Sequence, residues 1–469
     1  MSAPKQDSTD PGLRLQTGGL RRDLGTLESY AALLGILIGA GIFKVTGEAW
    51  TLTGPSVILG YVVLSPAILA TSVAYVVFLS TPLGREPGGE YTHISRTFGG
   101  YGVAFVGAWL KIISYVGALA YLAVALADYV LELSRGALRA EQRGLISVAS
   151  LVFFYLVHAV GVRWFGRIQV AMCALLGLAI VVLVVPGVPA IRFSNYRPFF
   201  THGAGGFAAA LPPLFFAYAG FESLAQAAGE VRDSTRKLPG IFVKGIAGTT
   251  VVYFLMSAVA LGALPGHRLA ASSAPMAEAA SVYLPAGAAW FVTLGAVMAL
   301  TTSLNSTMLV PSRLAVMLAK DGLAPAPLGA VASRTGTPVL GLTLTLAGSV
   351  LLVVLGQISL ALNIAVFALV LLYFLHSFTL LCLPRKNPGL FASVTARVPL
   401  PLQRASAVFS MAAMGVLIAL QLAEDFATLS RFSLAQRIAG GRVTTIELCL
   451  AWGLIGTLLY LLRKRAGKS

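Results

Sequence analysis

Two apolar stretches of this chain contain residues that disfavour a helix where a helix would otherwise be expected. Leu34 to Phe43 reads LGILIGAGIF, with Gly39, Ala40 and Gly41 in succession. Leu211 to Glu222 reads LPPLFFAYAGFE, with Pro212 and Pro213 near its start, a break at Tyr218-Ala219-Gly220, and the ionisable Glu222 at its end. Glycine inside a helix costs roughly 1 kcal/mol against alanine. A segment in contact with lipid cannot leave amide and carbonyl groups unpaired. Each stretch is therefore either a small-residue packing face or an opened helix whose freed backbone groups bind something. Lys111 lies about twelve residues into a third apolar run, near mid-bilayer if a span takes roughly 20 residues. A lysine there marks function by default, unless its stem snorkels to a wet vestibule or its ammonium meets a carbonyl. Thr301 to Thr307, TTSLNST, gathers hydroxyl and amide side chains that either bond back to i−4 carbonyls or offer oxygens to a cation. His158 and His376, alone in apolar runs, read as hydrogen-bonded packing residues rather than proton carriers.

Membrane-spanning helices must position these groups. Of the 469 residues, 57% are hydrophobic and 11% charged, and the mean hydropathy is +0.83. Mainly apolar runs of about 18 or more residues recur throughout, which predicts an all-α, polytopic membrane protein. About twelve spans are expected, near 28–53, 54–80, 99–131, 145–162, 166–188, 205–229, 239–264, 284–319, 336–356, 358–383, 404–423 and 443–462. The polar residues 1–26 predict a basic cytoplasmic tail and no cleavable signal peptide. The net charge of +16 does not indicate nucleic-acid binding, because Lys and Arg gather at alternate connections between spans. With a cytoplasmic N-terminus, that side holds 23 of the 34 basic residues. The positive-inside rule then places both termini in the cytoplasm and the protein in the cell (inner) membrane. Cys173, Cys382 and Cys449 all fall in expected spans, which argues against disulfides and a metal cluster. No P-loop, HExxH or GxSxG context appears.

The two breaks lie about five spans apart, so each of two five-span halves begins with an interrupted helix. Paired interruptions at corresponding positions point to a midplane binding site in an inverted-repeat transporter. The expected organisation is a tail (1–26), a transport core (27–385, with halves 27–190 and 205–385), then two peripheral helices and a cytoplasmic C-terminal tail (386–469).

Five motifs carry a resemblance. They are Gly39-Ala40-Gly41-Ile42-Phe43, Pro87-Gly88-Gly89-Glu90-Tyr91, Phe216 to Glu222 with Glu230-Val231, Ser312-Arg313, and Lys320-Asp321-Gly322. In order and spacing, over roughly residues 27–385, the chain resembles the amino acid–polyamine–organocation transporters. The resemblance implies the leucine-transporter-like fold, a five-plus-five inverted repeat with broken helices 1 and 6. It also implies two extra helices and alternating access around a central amino-acid site. Two departures stand out. Many members carry a glutamate where this chain has Val76-Val77-Phe78-Leu79, and some proton-coupled members carry a span-5 lysine where it has Cys173-Ala174-Leu175-Leu176.

For an amino acid, the resemblance implies that the amides of Ala40 and Gly41 take the carboxylate at a half-helix N-terminus. The ammonium would meet carbonyls near Leu37 and those of Phe215, Phe216 and Tyr218. Ile38, Gly39, Ala217 and Gly220 belong to the same interrupted segments. Phe216, Phe221, Leu224 and Tyr115 would line the side-chain pocket. Glu222 either selects cationic substrates or makes a structural hydrogen bond at the break. Coupling divides three ways. Sodium would sit among the carbonyls of Gly35 and Ile38 and the hydroxyls of Thr302 and Ser303, a hard cation among oxygens. A proton would ride on Glu222 or Lys111. With neither, the protein would be an exchanger. No other cofactor is expected. The expected function is secondary active amino-acid transport, with a polyamine or organic-cation transporter of the same fold as the alternative. A membrane-embedded transferase would need an acid/base cluster at one membrane face, and a channel remains a third class. The expected partners are a small-molecule substrate and the bilayer, with no nucleic acid. The sequence does not specify the oligomeric state.

Overall fold

Backbone inside a bilayer must pair with itself, and an α-helix does so within one segment. The computed structural model describes residues 20, 22–39, 41–134, 136–272, 274–356, 358–433, 436–437 and 444–466, with only the backbone of 358–361 and 463–466. Ala40 and residues 1–19 and 21 of the expected N-terminal tail lie outside the described residues. The chain begins with α1 (Thr26–Leu37), a π-helical turn (Gly41–Val45) and α2 (Thr46–Thr53). Next come α3 (Val57–Leu79), the short α4 (Glu90–Phe98), α5 (Gly102–Leu133), α6 (Arg143–Val160) and α7 (Val162–Gly187). The second interrupted pair is α8 (Gly203–Tyr218) and α9 (Ser223–Gln226), followed by α10 (Ser234–Ala263). The short helices α11 (Gly266–Ala271) and α12 (Pro275–Ser281) lead to α13 (Ala286–Lys320) and α14 (Val339–Val354). The chain closes with α15 (Ile358–Lys386), α16 (Pro388–Ala392), α17 (Leu400–Arg431) and α18 (Thr445–Ala466).

Among the described residues, ten helical stretches are long and apolar enough to cross a membrane, against about twelve expected. The difference has two sources. The first stretch, Thr26–Leu79, holds 54 residues, over twice the roughly 20 that one crossing needs, and it turns at Gly54–Ser56. α14 has 16 residues, short for a crossing at 1.5 Å per residue.

α5 lies at the centre, packed along α13 and α15, while α3 runs along α10. In α5's most apolar window 83% is buried, against 11% for α18, so α5 is core and α18 borders the lipid. α18 is held by a reciprocal pair of tryptophans. Trp109 Nε1 donates to Trp452 O at 2.7 Å and Trp452 Nε1 to Trp109 O at 2.8 Å, and the rings stack at 4.3 Å.

One face is closed by polar contacts between distant motifs. Tyr91 Oη donates to Asp321 Oδ2 at 2.6 Å, and both terminal nitrogens of Arg96 reach the same carboxylate at 3.2 Å. Burial, then the bond to Asp321, pushes the Tyr91 phenol above its usual range. Arg313 and Glu230 pair at 3.0 Å with both side chains fully buried. Leu24 forms a parallel bridge to Val231. Its N–H donates to Glu230 O at 3.0 Å, and Arg232 N donates to Leu24 O at 2.9 Å.

Candidate functional site

α1 stops at Leu37, and regular hydrogen bonding resumes in the π-helical turn at Gly41. Carbonyls flanking the interruption need partners, and tyrosines from other helices supply several of them. Tyr61 of α3 donates to Gly41 O at 3.0 Å, and Tyr129 of α5 to Phe43 O at 2.7 Å. Tyr253 of α10 donates to Leu37 O and, at 2.5 Å, to Ala217 O. One phenol thus spans both interrupted segments. Gly41 sits where α8 comes closest, and a Cβ there would fall on Ala217.

α8 ends at Tyr218, Ala219 is extended at φ −69° and ψ 148°, and Gly220 takes φ 101°, a conformation that favours glycine. Glu222 closes this turn, since its Oε2 accepts from Gly220 N at 3.0 Å. Tyr115 donates to Oε1 at 2.6 Å, and Tyr373 to Oε2. The carboxylate therefore faces donors, which fits the expected structural bond at the break. Between the two interruptions lies a cavity of about 30 Å³. Leu37, Gly41, Phe216, Gly220, Tyr115 and Ser303 are among its walls, with Ile36, Ala118, Leu122 and Leu369 adding apolar surface.

The amino acid permease family model matches residues 24–433. The chain belongs to this family. Branched-chain amino acid permease BcaP of Bacillus subtilis is 27% identical over 396 residues, covering 79% of this chain and 83% of that protein. The methylthioribose transporter of the same organism is 26% identical over 400 residues, 81% and 84% of the two chains. Cationic amino acid transporter 9, chloroplastic, of Arabidopsis thaliana is 29% identical over 340 residues, 68% of this chain and 59% of that one. This permease is an integral membrane protein whose relatives are named for the transport of small molecules.

Not every expected site residue of the permease meets at the cavity. Leu37, Gly41, Tyr115, Phe216 and Gly220 line it. Phe221 is buried among aromatics instead, 5.2 Å from both Tyr75 and Tyr373. Phe215 packs against Tyr373 at 5.8 Å, and Leu224 is buried in the core without reaching the cavity wall. The Tyr218 hydroxyl turns away, donating to Tyr61 O at 3.0 Å. At the expected cation position, Thr302 and Ser303 both donate to Gly35 O at 2.9 Å, and Ser303 also to Ile36 O at 3.1 Å. The N–H of Ile38, the other expected contributor, closes α1 by donating to Leu34 O at 2.7 Å. Gln169 of α7 enters the same crevice, its Nε2 donating to Ala31 O at 3.2 Å and to Thr302 O at 3.1 Å.

Lys111 neither snorkels nor meets a carbonyl. Its Nζ lies 2.7 Å from Glu90 Oε2, with both side chains buried. Glu90 was visible only as part of a motif, because a carboxylate in a loop-like PGGEY gives no sign of pairing in the core. His158 bonds Asn305 O at 2.8 Å, as a packing histidine should. His376 meets His93 nitrogen to nitrogen at 3.0 Å.

Proposed function

We propose that this permease is a secondary transporter carrying neutral, apolar amino acids by alternating access, with both termini cytoplasmic. On this reading two five-helix halves, 27–190 and 205–385, move against each other around the cavity between the helix interruptions. The supporting observation is that cavity, bounded by interrupted backbone on two sides and by mainly apolar side chains elsewhere. A carboxylate would face the amide end of the π-helical turn at Gly41, and an ammonium the carbonyl ends of α1 and α8. Ala40 would add its amide to the carboxylate site. At about 30 Å³, the cavity is far below the about 300 Å³ and more of typical ligand pockets. A substrate therefore fits only as the walls part, which is what alternating access requires. Glu222 has both oxygens engaged by donors within the protein. That favours a zwitterion over a polyamine or other organic cation.

For coupling we propose a proton rather than sodium. Gly35 O already accepts from both Thr302 and Ser303. The Gln169 amide presents N–H groups in the same crevice, where a cation would require acceptors. The test is uptake into proteoliposomes under an imposed sodium gradient, then a pH gradient, then neither, with competition by each amino acid. Saturable uptake of leucine-like substrates driven by the pH gradient is expected, and Thr302→Ala should remain active in the absence of sodium. Strict sodium dependence would overturn the coupling. Strong preference for diamines would overturn the substrate class.

A further inference from the structure

We propose that Glu90 is the residue that carries the coupling proton, exchanging an ion pair with Lys111 for a hydrogen bond to Gln226. The inference rests on the proton-coupled reading above and assigns its site.

Glu90 is the first residue of α4, yet it is buried beside the substrate region. Three other elements converge on its carboxylate. Tyr75 of α3 donates to Oε1. Lys111 of α5 and Gln226 of α9 both donate to Oε2 at 2.7 Å. α4 also carries His93, joined to His376 of α15. A hydrogen bond between two imidazole nitrogens needs one to accept, so at least one of this pair is neutral. Lys111 Nζ also lies 5.3 Å from the centre of the Tyr115 ring, whose hydroxyl holds Glu222, with Tyr373 of α15 on the other oxygen. With both imidazoles neutral, the ionisable groups are two carboxylates and one ammonium. With both acids ionised the cluster holds one unmatched negative charge away from water, which is costly. A single proton balances it.

The hydrogen bonding indicates which carboxylate takes that proton. Both Glu222 oxygens accept from tyrosine hydroxyls, and Oε2 accepts in addition from the Gly220 N–H, which can only donate. At Glu90 the second partner is an amide that can reverse its role. Gln226 Nε2 donates to the carboxylate, while its Oε1 is buried with no partner. If the proton adds to Glu90 Oε2, the ion pair with Lys111 breaks. The Gln226 amide turns over, and the new carboxylic O–H donates to Gln226 Oε1, which gains the partner it lacks. The Lys111 ammonium is left facing Glu222 across Tyr115. On deprotonation the proton leaves Oε2 and the amide turns back. Gln226 lies in α9, the segment immediately after the α8 interruption. Protonation therefore changes how the segment after the α8 interruption is held, which links the proton to access. The two charge states differ in which bond ties α9 to α4.

The test uses the full chain in proteoliposomes with the membrane potential clamped. Wild type, Glu90→Gln, the double variant Glu90→Gln/Lys111→Met and Gln226→Leu are compared. One proton per substrate predicts about tenfold accumulation per unit of pH gradient in wild type. Glu90→Gln should lose this accumulation while still exchanging labelled for unlabelled substrate, at a rate flat from about pH 5 to 8. If the lone Lys111 charge prevents folding, the double variant removes both charges and should behave the same way. Gln226→Leu makes neither bond and should move the pH midpoint of uptake. Gradient-driven accumulation in Glu90→Gln or the double variant would overturn the assignment to Glu90. An unmoved midpoint in Gln226→Leu would overturn the switch. Wild-type uptake indifferent to the gradient would overturn proton coupling itself, and absence of saturable uptake the transporter reading.

Discussion

Gly41 lies at a close approach in the candidate site, where an added Cβ would overlap Ala217 of α8. Gly41→Leu is expected to abolish uptake while the protein still reaches the membrane folded, since overpacking costs roughly 1–3 kcal/mol. Uptake and melting temperature, measured together, check this, and normal kinetics would remove the cavity from the mechanism. Phe216 and Phe221 should behave differently. Phe216 lines the cavity, edge-on to Tyr121 at 5.4 Å. Phe216→Ala is therefore expected to shift substrate preference toward bulkier side chains. Phe221 does not reach the cavity, and Phe221→Ala should cost about 3–5 kcal/mol of stability with the rank order of substrates kept. A competition series on both variants separates the two roles. At this scale the sequence reveals local anomalies, such as glycines in an apolar run or a charge in a span. It does not reveal Tyr61, Tyr129 or Tyr253. A tyrosine in a span looks like any large apolar residue, and the carbonyls these three satisfy lie 20, 86 and 216 positions away.

Between elements, the fully buried Arg313–Glu230 pair joins α13 to the turn after α9. Arg313→Met leaves a buried carboxylate without its counter-charge, a loss of about 3–5 kcal/mol. Removing both charges in Arg313→Met/Glu230→Gln should recover most of it. Thermal unfolding in detergent tests both, and an equal loss in the double variant would show that packing rather than charge sets the cost. The order of helices was legible because hydropathy is a property of each segment alone. The motifs around Tyr91 and Lys320-Asp321 were also visible. Their meeting was not, because Arg96 and Asp321 are 225 positions apart and only the fold brings them together. The Ser303 bond to Ile36 O was hidden for a similar reason. Counting residues cannot foresee where α1 stops winding.

Across the whole molecule, α18 contacts the core lightly but is clasped by Trp109 and Trp452. Trp452→Ala should lower the melting temperature by several degrees and leave the KM for substrate unchanged. A changed KM would show that α18 communicates with the cavity. At the opposite end of the chain, Leu24 is stitched to Val231 by one parallel bridge and two backbone hydrogen bonds, and Arg232 Nε reaches Arg22 O at 3.2 Å. This strap lies across the segment that follows α9, so under the alternating access proposed above it would have to part whenever that face opened. Each such bond contributes only about 1 kcal/mol net, so the strap is easily undone and acts mechanically. A load on the N-terminal tail, whether from a fused domain, a covalent modification or a binding protein, would pull on the gate without touching the substrate. Removing residues 1–24 should therefore quicken release on that face, and the speed of the permease becomes something that can be set from outside the membrane.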